Sequence, residues 1–261
     1  MNIYLCTDME GCSGVARWED CAQQTPGWEY GRRMLTQDVK ATVEGFQAGG
    51  ADRIVVSDGH GGGANLLMED LPAGAEYICG RGGGSRALPF LDETFDAVGL
   101  IGQHAKARTP DAFLPHTQSS VNWLGLWANG REIGELGQVA LIAGHFDVPV
   151  ILVTGDRAVG IEAHDLLGEH VETVTVKQAC SPTRGLCMAL DDAHGAIREG
   201  AKRSLANIGK AKPFKTDLPM EIKIRYNSTA MTEGPVASGA ELFDPLTTRR
   251  VVETQLEIYT V

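Results

Sequence analysis

The sequence predicts an α/β protein, with a mostly parallel sheet and flanking helices over residues 1–180 and a smaller α+β unit over residues 181–261. Three observations carry that prediction. Short apolar runs, Asn2 to Cys6 and Arg53 to Ser57, flank a segment of helical period, the order of a β–α–β crossover. Each run stops abruptly at a polar residue, in Thr7-Asp8 and Asp58-Gly59. After about residue 180 this alternation ceases. The main unit is therefore Rossmann-like, and the remainder is a candidate oligomerisation region.

The elements follow in order. Asn2 to Cys6 reads as a buried strand, and polar loop continues through Pro26. From about Arg32 to Ala48, Leu35, Val39, Val43 and Phe46 recur at helical spacing until Gly49-Gly50 stop them. Arg53 to Ser57 is the second strand, and Ala75 to Cys79 and Ala97 to Ile101 continue the series, the last running into Gly102-Gln103-His104. Val121 to Ala128 is apolar and aromatic, with a turn signal in Asn129-Gly130. Leu136, Val139, Ala140 and Ala143 lie on one helical face. Val148 to Val153 is a strand, Asp156 a candidate helix cap, and Val171 to Val176 closes the series. Ser181-Pro182 is a helix-start signal for a stripe of Leu186, Leu190, Ala193, Ile197, Ala201 and Leu205. Gly209 to Pro219 reads as a linker, Glu221 to Tyr226 as a half-exposed strand, and Arg249 to Val261 as either strand or helix.

Composition narrows the function classes. A net charge of −11 without any basic run argues against nucleic-acid binding, which needs clustered Lys and Arg. No apolar run approaches the ~18 residues of a membrane span. The N-terminal stretch lacks the basic flank and length of a signal peptide. The six cysteines show no C-x-x-C spacing and read as reduced thiols of a cytoplasmic protein.

The chemistry concentrates at the strand ends. The first strand runs into Asp8 and Glu10, the second into Asp58 and His60, and the third into His104. In open α/β sheets ligands bind beyond the carboxyl ends of the strands, so residues far apart in sequence can converge there. Asp8 and Glu10, two apart in extended chain, point to one side, and Gly11 lets the backbone turn away. Glu135, in Gly-Glu-Leu-Gly, opens a helix, where the dipole favours a carboxylate. Imidazole mixed with carboxylate suits Zn²⁺, and also Mn²⁺ or Co²⁺. Taken singly, each residue has a plainer reading as a solvated turn, a cap or a loop histidine. The repetition at successive strand ends makes the paired metal site.

Two glycine-rich segments, Gly59 to Gly63 and Gly80 to Gly84, raise the rival of a non-catalytic phosphate- or nucleotide-binding module. Neither carries the lysine or the spacing of a phosphate loop.

Thr-Asp-Met-Glu-Gly at 7–11, Ser-Asp-Gly-His at 57–60, Gly-Gln-His-Ala at 102–105, Thr109-Pro110, His116 and Gly-Glu-Leu-Gly at 134–137 resemble the D-aminopeptidase DppA family, the zinc-dependent peptidases of family M55. The resemblance is close over residues 1–180 and weaker beyond. It implies two zinc ions per subunit held by Asp8, Glu10, His60, His104 and Glu135, with Asp8 bridging, and a catalytic His116. It also implies a homodecamer and hydrolysis of the N-terminal amide bond of short D-amino-acid peptides. His116 then serves as nucleophile, acid/base or oxyanion stabiliser. A metal-dependent amidase or deacylase acting on a non-peptide amide is the nearest alternative.

Overall fold

The computed structural model describes residues 1–80, 88–233 and 239–259. The chain begins with β1 (Asn2–Thr7), a short helix α1 (Trp18–Cys21), the long helix α2 (Pro26–Ala48), β2 (Arg53–Asp58) and β3 (Glu76–Ile78). Then come β4 (Ala97–Gln103), β5 (Trp123–Ala128), β6 (Arg131–Ile133), α3 (Glu135–His145), β7 (Val150–Asp156), α4 (Arg157–Leu167) and β8 (Glu172–Ser181). The last part comprises β9 (Arg184–Cys187), α5 (Leu190–Ser204), β10 (Met220–Tyr226), β11 (Glu241–Asp244), β12 (Thr247–Val252) and a closing 3₁₀ turn, Gln255–Tyr259.

A seven-stranded sheet has the order β3-β2-β1-β4-β7-β8-β9, parallel except for the β8–β9 pair. The predicted mostly parallel α/β fold is therefore present. Strand order reverses at β1, whose two neighbours are β2 and β4, so a crevice opens at its carboxyl end. The pleat of β1 sorts its side chains between two cores. Ile3 and Leu5 pack with Leu35, Val39 and Phe46 of α2 and with Ile197 of α5. Tyr4 and Cys6 join Leu136 and Val139 of α3, Val159 of α4, and Ile222 of β10.

The structure departs from the sequence reading in four places. The first long helix starts at Pro26 rather than near Arg32, because the Thr25 hydroxyl accepts from Trp28 N at 3.1 Å and proline suits the first helical position. α1 also interrupts the expected loop. Ser181-Pro182 does not start a helix: β8 runs to Ser181 and turns back into β9, leaving Leu186 70% exposed, and the helix opens at Leu190. Leu190 is also exposed, whereas the rest of the stripe, Ala193, Ile197, Ala201 and Leu205, is buried as expected.

Trp123–Ala128 does not extend the parallel series. β5 and β6 form a hairpin through Asn129-Gly130 and join a second sheet, β11-β12-β10-β5-β6, all antiparallel. That sheet takes strands from both sides of residue 180, so residue 180 does not separate the two sheets. The undecided C-terminal segment is strand through Val252 and then 3₁₀ turn. Of Gly80 to Gly84, only Gly80 lies within the described residues.

Candidate active site

Register brings the site together. Thr7 sits beside Asp58 on one flank and Ile101 on the other, so Asp8, His60 and His104 all follow strand ends at one level. Asp8 N donates to Ile101 O at 2.8 Å and Gly11 N to Gly102 O at 2.7 Å, tying the Asp8-Met9-Glu10 loop to β4. Gly11 is required for close approach and not for a turn: a Cβ there would lie 1.9 Å from Gln103 O. Gly102, at φ +70°, is the reciprocal position, with Asp8 O at 2.2 Å from a built Cβ.

All six residues singled out in the sequence meet in or beside one cavity of about 880 Å³. His60 Nδ1 lies 2.9 Å from Asp8 Oδ1 and 3.2 Å from Glu10 Oε2. His104 Nε2 lies 3.2 Å from Asp8 Oδ2 and 3.5 Å from Glu135 Oε1. His116 stacks on His104 at 3.9 Å between ring centroids, with Nε2 3.8 Å from Glu135 Oε1. Ligand atoms of Asp8, Glu10 and His104, and likewise of His104, His116 and Glu135, fall within 4.8 Å of one another. Asp58, the other acid at a strand end, is not part of this cluster; it accepts from Asn65 N, Asn65 Nδ2 and Leu66 N and shapes the His60 loop.

Each histidine is held by one ring nitrogen. His60 Nε2 is 2.9 Å from Cys21 O, His104 Nδ1 3.0 Å from Ala105 O, and His116 Nδ1 3.0 Å from Leu114 O. An N–H donated to a carbonyl there aims the opposite nitrogen at the carboxylates, to carry a proton toward them or to give its lone pair to a metal. Asp8 Oδ2, Glu10 Oε2 and His104 Nε2 are buried with no hydrogen-bond partner. Orphaned buried polar atoms are costly, and these are the donor types of a zinc centre.

Electrostatics follow the geometry. Burial drives the Asp8 carboxyl upward, but His104 and His60 outweigh it and hold Asp8 well below the usual carboxylate range. Glu135 is likewise lowered by His104 against the effect of burial. Burial opposes charge on His60 and His104, yet the surrounding carboxylates keep both well above an ordinary imidazole. The Cys6 thiol, in the same cavity, is pushed up to about 12 by burial first and then by neighbouring acids, so it stays protonated and offers no thiolate.

Two supporting residues carry no sequence signal. Lys177 of β8 is buried and donates to Glu10 O at 2.9 Å and Val15 O at 2.7 Å, bracing the loop of Asp8 and Glu10 from behind. Burial lowers its amine. The Glu162 carboxylate of α4 accepts from Lys106 N at 2.8 Å and abuts Gly134, between the His104 segment and the start of α3. Trp18, Gln118 and Tyr259 also line the cavity, and Gln118 N donates to Glu135 Oε1 at 2.7 Å.

An open α/β sheet with a cavity of imidazoles and carboxylates over its strand ends defines a candidate metal-binding site. The chain belongs to peptidase family M55, D-aminopeptidase, whose model matches residues 1–261. It is 32% identical over 214 residues to a D-aminopeptidase of Bacillus subtilis (strain 168), covering 82% of this chain and 77% of that protein. It superposes on the Zn-dependent D-aminopeptidase DppA from Bacillus subtilis, described as a self-compartmentalizing protease, with a TM-score of 0.93 and 28% identity over 99% of this chain and 94% of that one. Membership in a peptidase family displaces the reading as a phosphate-binding module. Among the described residues no helix is long and apolar enough to cross a membrane.

Proposed function

We propose that this peptidase is a dinuclear zinc aminopeptidase that removes the N-terminal residue from short D-amino-acid peptides. One observation carries the reading: Asp8 divides its two oxygens between two imidazoles, Oδ1 toward His60 and Oδ2 toward His104. A carboxylate so placed suits a bridge, with Glu10 and His60 completing one side and His104 and Glu135 the other. Two zinc ions there would polarise the scissile carbonyl and lower the pKa of the attacking water.

The protein's own groups do the rest. Asp8, Glu10 and Glu135 supply the negative charge that retains the ions. His116, with Nδ1 held by Leu114 O, presents Nε2 to the cavity, takes up a proton given off by the attacking water and passes it to the leaving amine. Its stacking on His104 fixes the ring plane. The likeness to a self-compartmentalizing protease supports a homo-oligomer, a homodecamer in this proposal, with the cavities facing an enclosed space.

The test pairs metal analysis with a substrate panel. Zinc-loaded protein should hold two equivalents and cleave D-Ala-D-Ala faster than L-Ala-L-Ala. Less than one equivalent, together with undiminished cleavage by Asp8→Asn, would sink the proposal. Hydrolysis of simple amides but of no dipeptide would reassign the site to a non-peptide amidase or deacylase.

A further inference from the structure

The 3₁₀ turn after β12 reaches the active-site cavity. Gln255–Tyr259 is pinned to α3 by Gln255 Nε2 donating to Leu141 O at 2.8 Å, while Gln255 Oε1 accepts from Thr216 N at 2.9 Å. Ile258 is fully buried in the core beneath. This anchoring delivers Tyr259 to the cavity wall beside Cys6, Val139 and Glu135.

The hydroxyl of Tyr259 is used differently from those of Tyr4, Tyr30 and Tyr77. Tyr4, Tyr30 and Tyr77 each donate to a backbone carbonyl, of Pro89, Gly14 and Pro72 respectively. Tyr259 and Tyr226 of β10 have no hydroxyl hydrogen-bond partner among the described residues, although both rings pack against the core that holds Tyr4; of the two, Tyr259 lines the cavity. A buried phenol ordinarily finds an acceptor. An anchored, half-buried phenol left without one, in a cavity also lined by Gln103, Gln118 and Ser120, is placed to donate to whatever enters it.

We propose that Tyr259 is a substrate-contacting residue whose hydroxyl donates a hydrogen bond to the carbonyl oxygen of the scissile amide. This rests on the hydrolytic function proposed above. A protonated phenol on the cavity wall has a proton to give to an oxygen entering beside Glu135. Burial first, and then Cys6, Glu135 and Asp8, hold its pKa well above the usual phenol, so it remains a donor throughout the neutral range. As charge grows on the carbonyl oxygen the bond strengthens, which places its effect in kcat and not in KM. The donor is remote in sequence, arriving from the C-terminal turn while the acids arrive from β1 and α3.

The test compares zinc-loaded wild type with Tyr259→Phe, which keeps the ring and its packing. Four readouts are taken: kcat and KM on D-Ala-D-Ala, affinity for a phosphinate analogue of that dipeptide, zinc content, and melting temperature. The expected result is a fall in kcat of about 10²-fold, the scale of one lost oxyanion donor, with phosphinate binding weakened in parallel. KM should stay within about twofold, and zinc content and melting should be unchanged. Equal kcat and equal phosphinate affinity in both proteins overturn the proposal. So does a fall accompanied by zinc loss or early melting, which makes the role structural, and so does a rise in KM alone, which removes the contact from the carbonyl oxygen. A wild type that hydrolyses no amide and binds no phosphinate overturns the hydrolytic function itself, whereas a fully active wild type matched by Tyr259→Phe overturns only the role of Tyr259.

Discussion

Two groups of acids set into this fold are treated in opposite ways. Asp156 accepts from Phe113 N and Val159 N, Asp38 from the amide and hydroxyl of Ser13, and Asp58 from Asn65 and Leu66. Each spends its charge on the N–H and O–H groups of its own chain, folding a loop onto a helix or strand end. Asp8 and Glu10 each keep an oxygen that accepts no hydrogen bond, as does Glu162 behind the site, but Asp8 and Glu10 alone of the three line the cavity. Since an uncompensated buried carboxylate is strongly unfavourable, the second group needs cations from outside the backbone, and only imidazoles and the proposed zinc are within reach. The difference separates acids that build the site from acids that act in it.

Substitution of one member from each group is the sharpest way to break that distinction. Asp8→Asn should abolish bridging and cut kcat/KM by about 10³-fold, several kcal/mol of barrier, with loss of bound zinc by metal analysis. An active, zinc-replete Asp8→Asn protein would place Asp8 with the structural acids.

Zinc removal comes next. At a hundredfold excess over Kd, metal should stabilise the fold by about 2.7 kcal/mol, read as a lower melting temperature after chelation. The raised imidazole pKa values of His60 and His104 set the pH dependence. In metal-free protein their protonation adds stability that is complete below the unfolded value of about 6.5 and is lost as pH rises through the folded values. Zinc displaces those protons, so uptake at pH 7 should release protons and apparent affinity should fall as pH falls. Titration calorimetry in two buffers of different ionisation enthalpy measures the release, and a value of zero would contradict the geometry.

Lys177→Met probes the brace between the two groups. It strands the carbonyls of Glu10 and Val15, and should weaken zinc binding about tenfold while costing about 1–3 kcal/mol of stability. Unchanged zinc affinity would show that the Asp8–Glu10 loop holds its shape without it. Smallest in effect, Asp156→Ala removes the α4 cap and should cost about 1–2 kcal/mol by denaturant unfolding, with zinc content intact.

Much of this centre could be read from the sequence because parallel strands advertise their ends. β1, β2 and β4 are apolar runs that stop at Asp8, His60 and His104, and the switch in strand order makes those ends neighbours. Lys177, Glu162 and Tyr259 left no comparable sign, since each is defined by what it touches more than 20 residues away and not by its local pattern. The sheet joining β5 to β10 escaped for the same reason: Leu126 pairs with Ile224 across nearly a hundred residues of sequence. Leu186 misled because its spacing to Leu190, Ala193 and Ile197 fits a helix, while the turn after Ser181 commits it to β9.

The reciprocal glycines, Gly11 and Gly102, give the centre its gauge. With Asp8 N and Gly11 N bonded to consecutive carbonyls of β4, the offset between the Asp8–Glu10 pair and His104 is a spacing between neighbouring strands, about 4.8 Å, and not a loop length. Insertions or sequence drift in the surrounding loops leave that ruler untouched. A single methyl group at either glycine lengthens it.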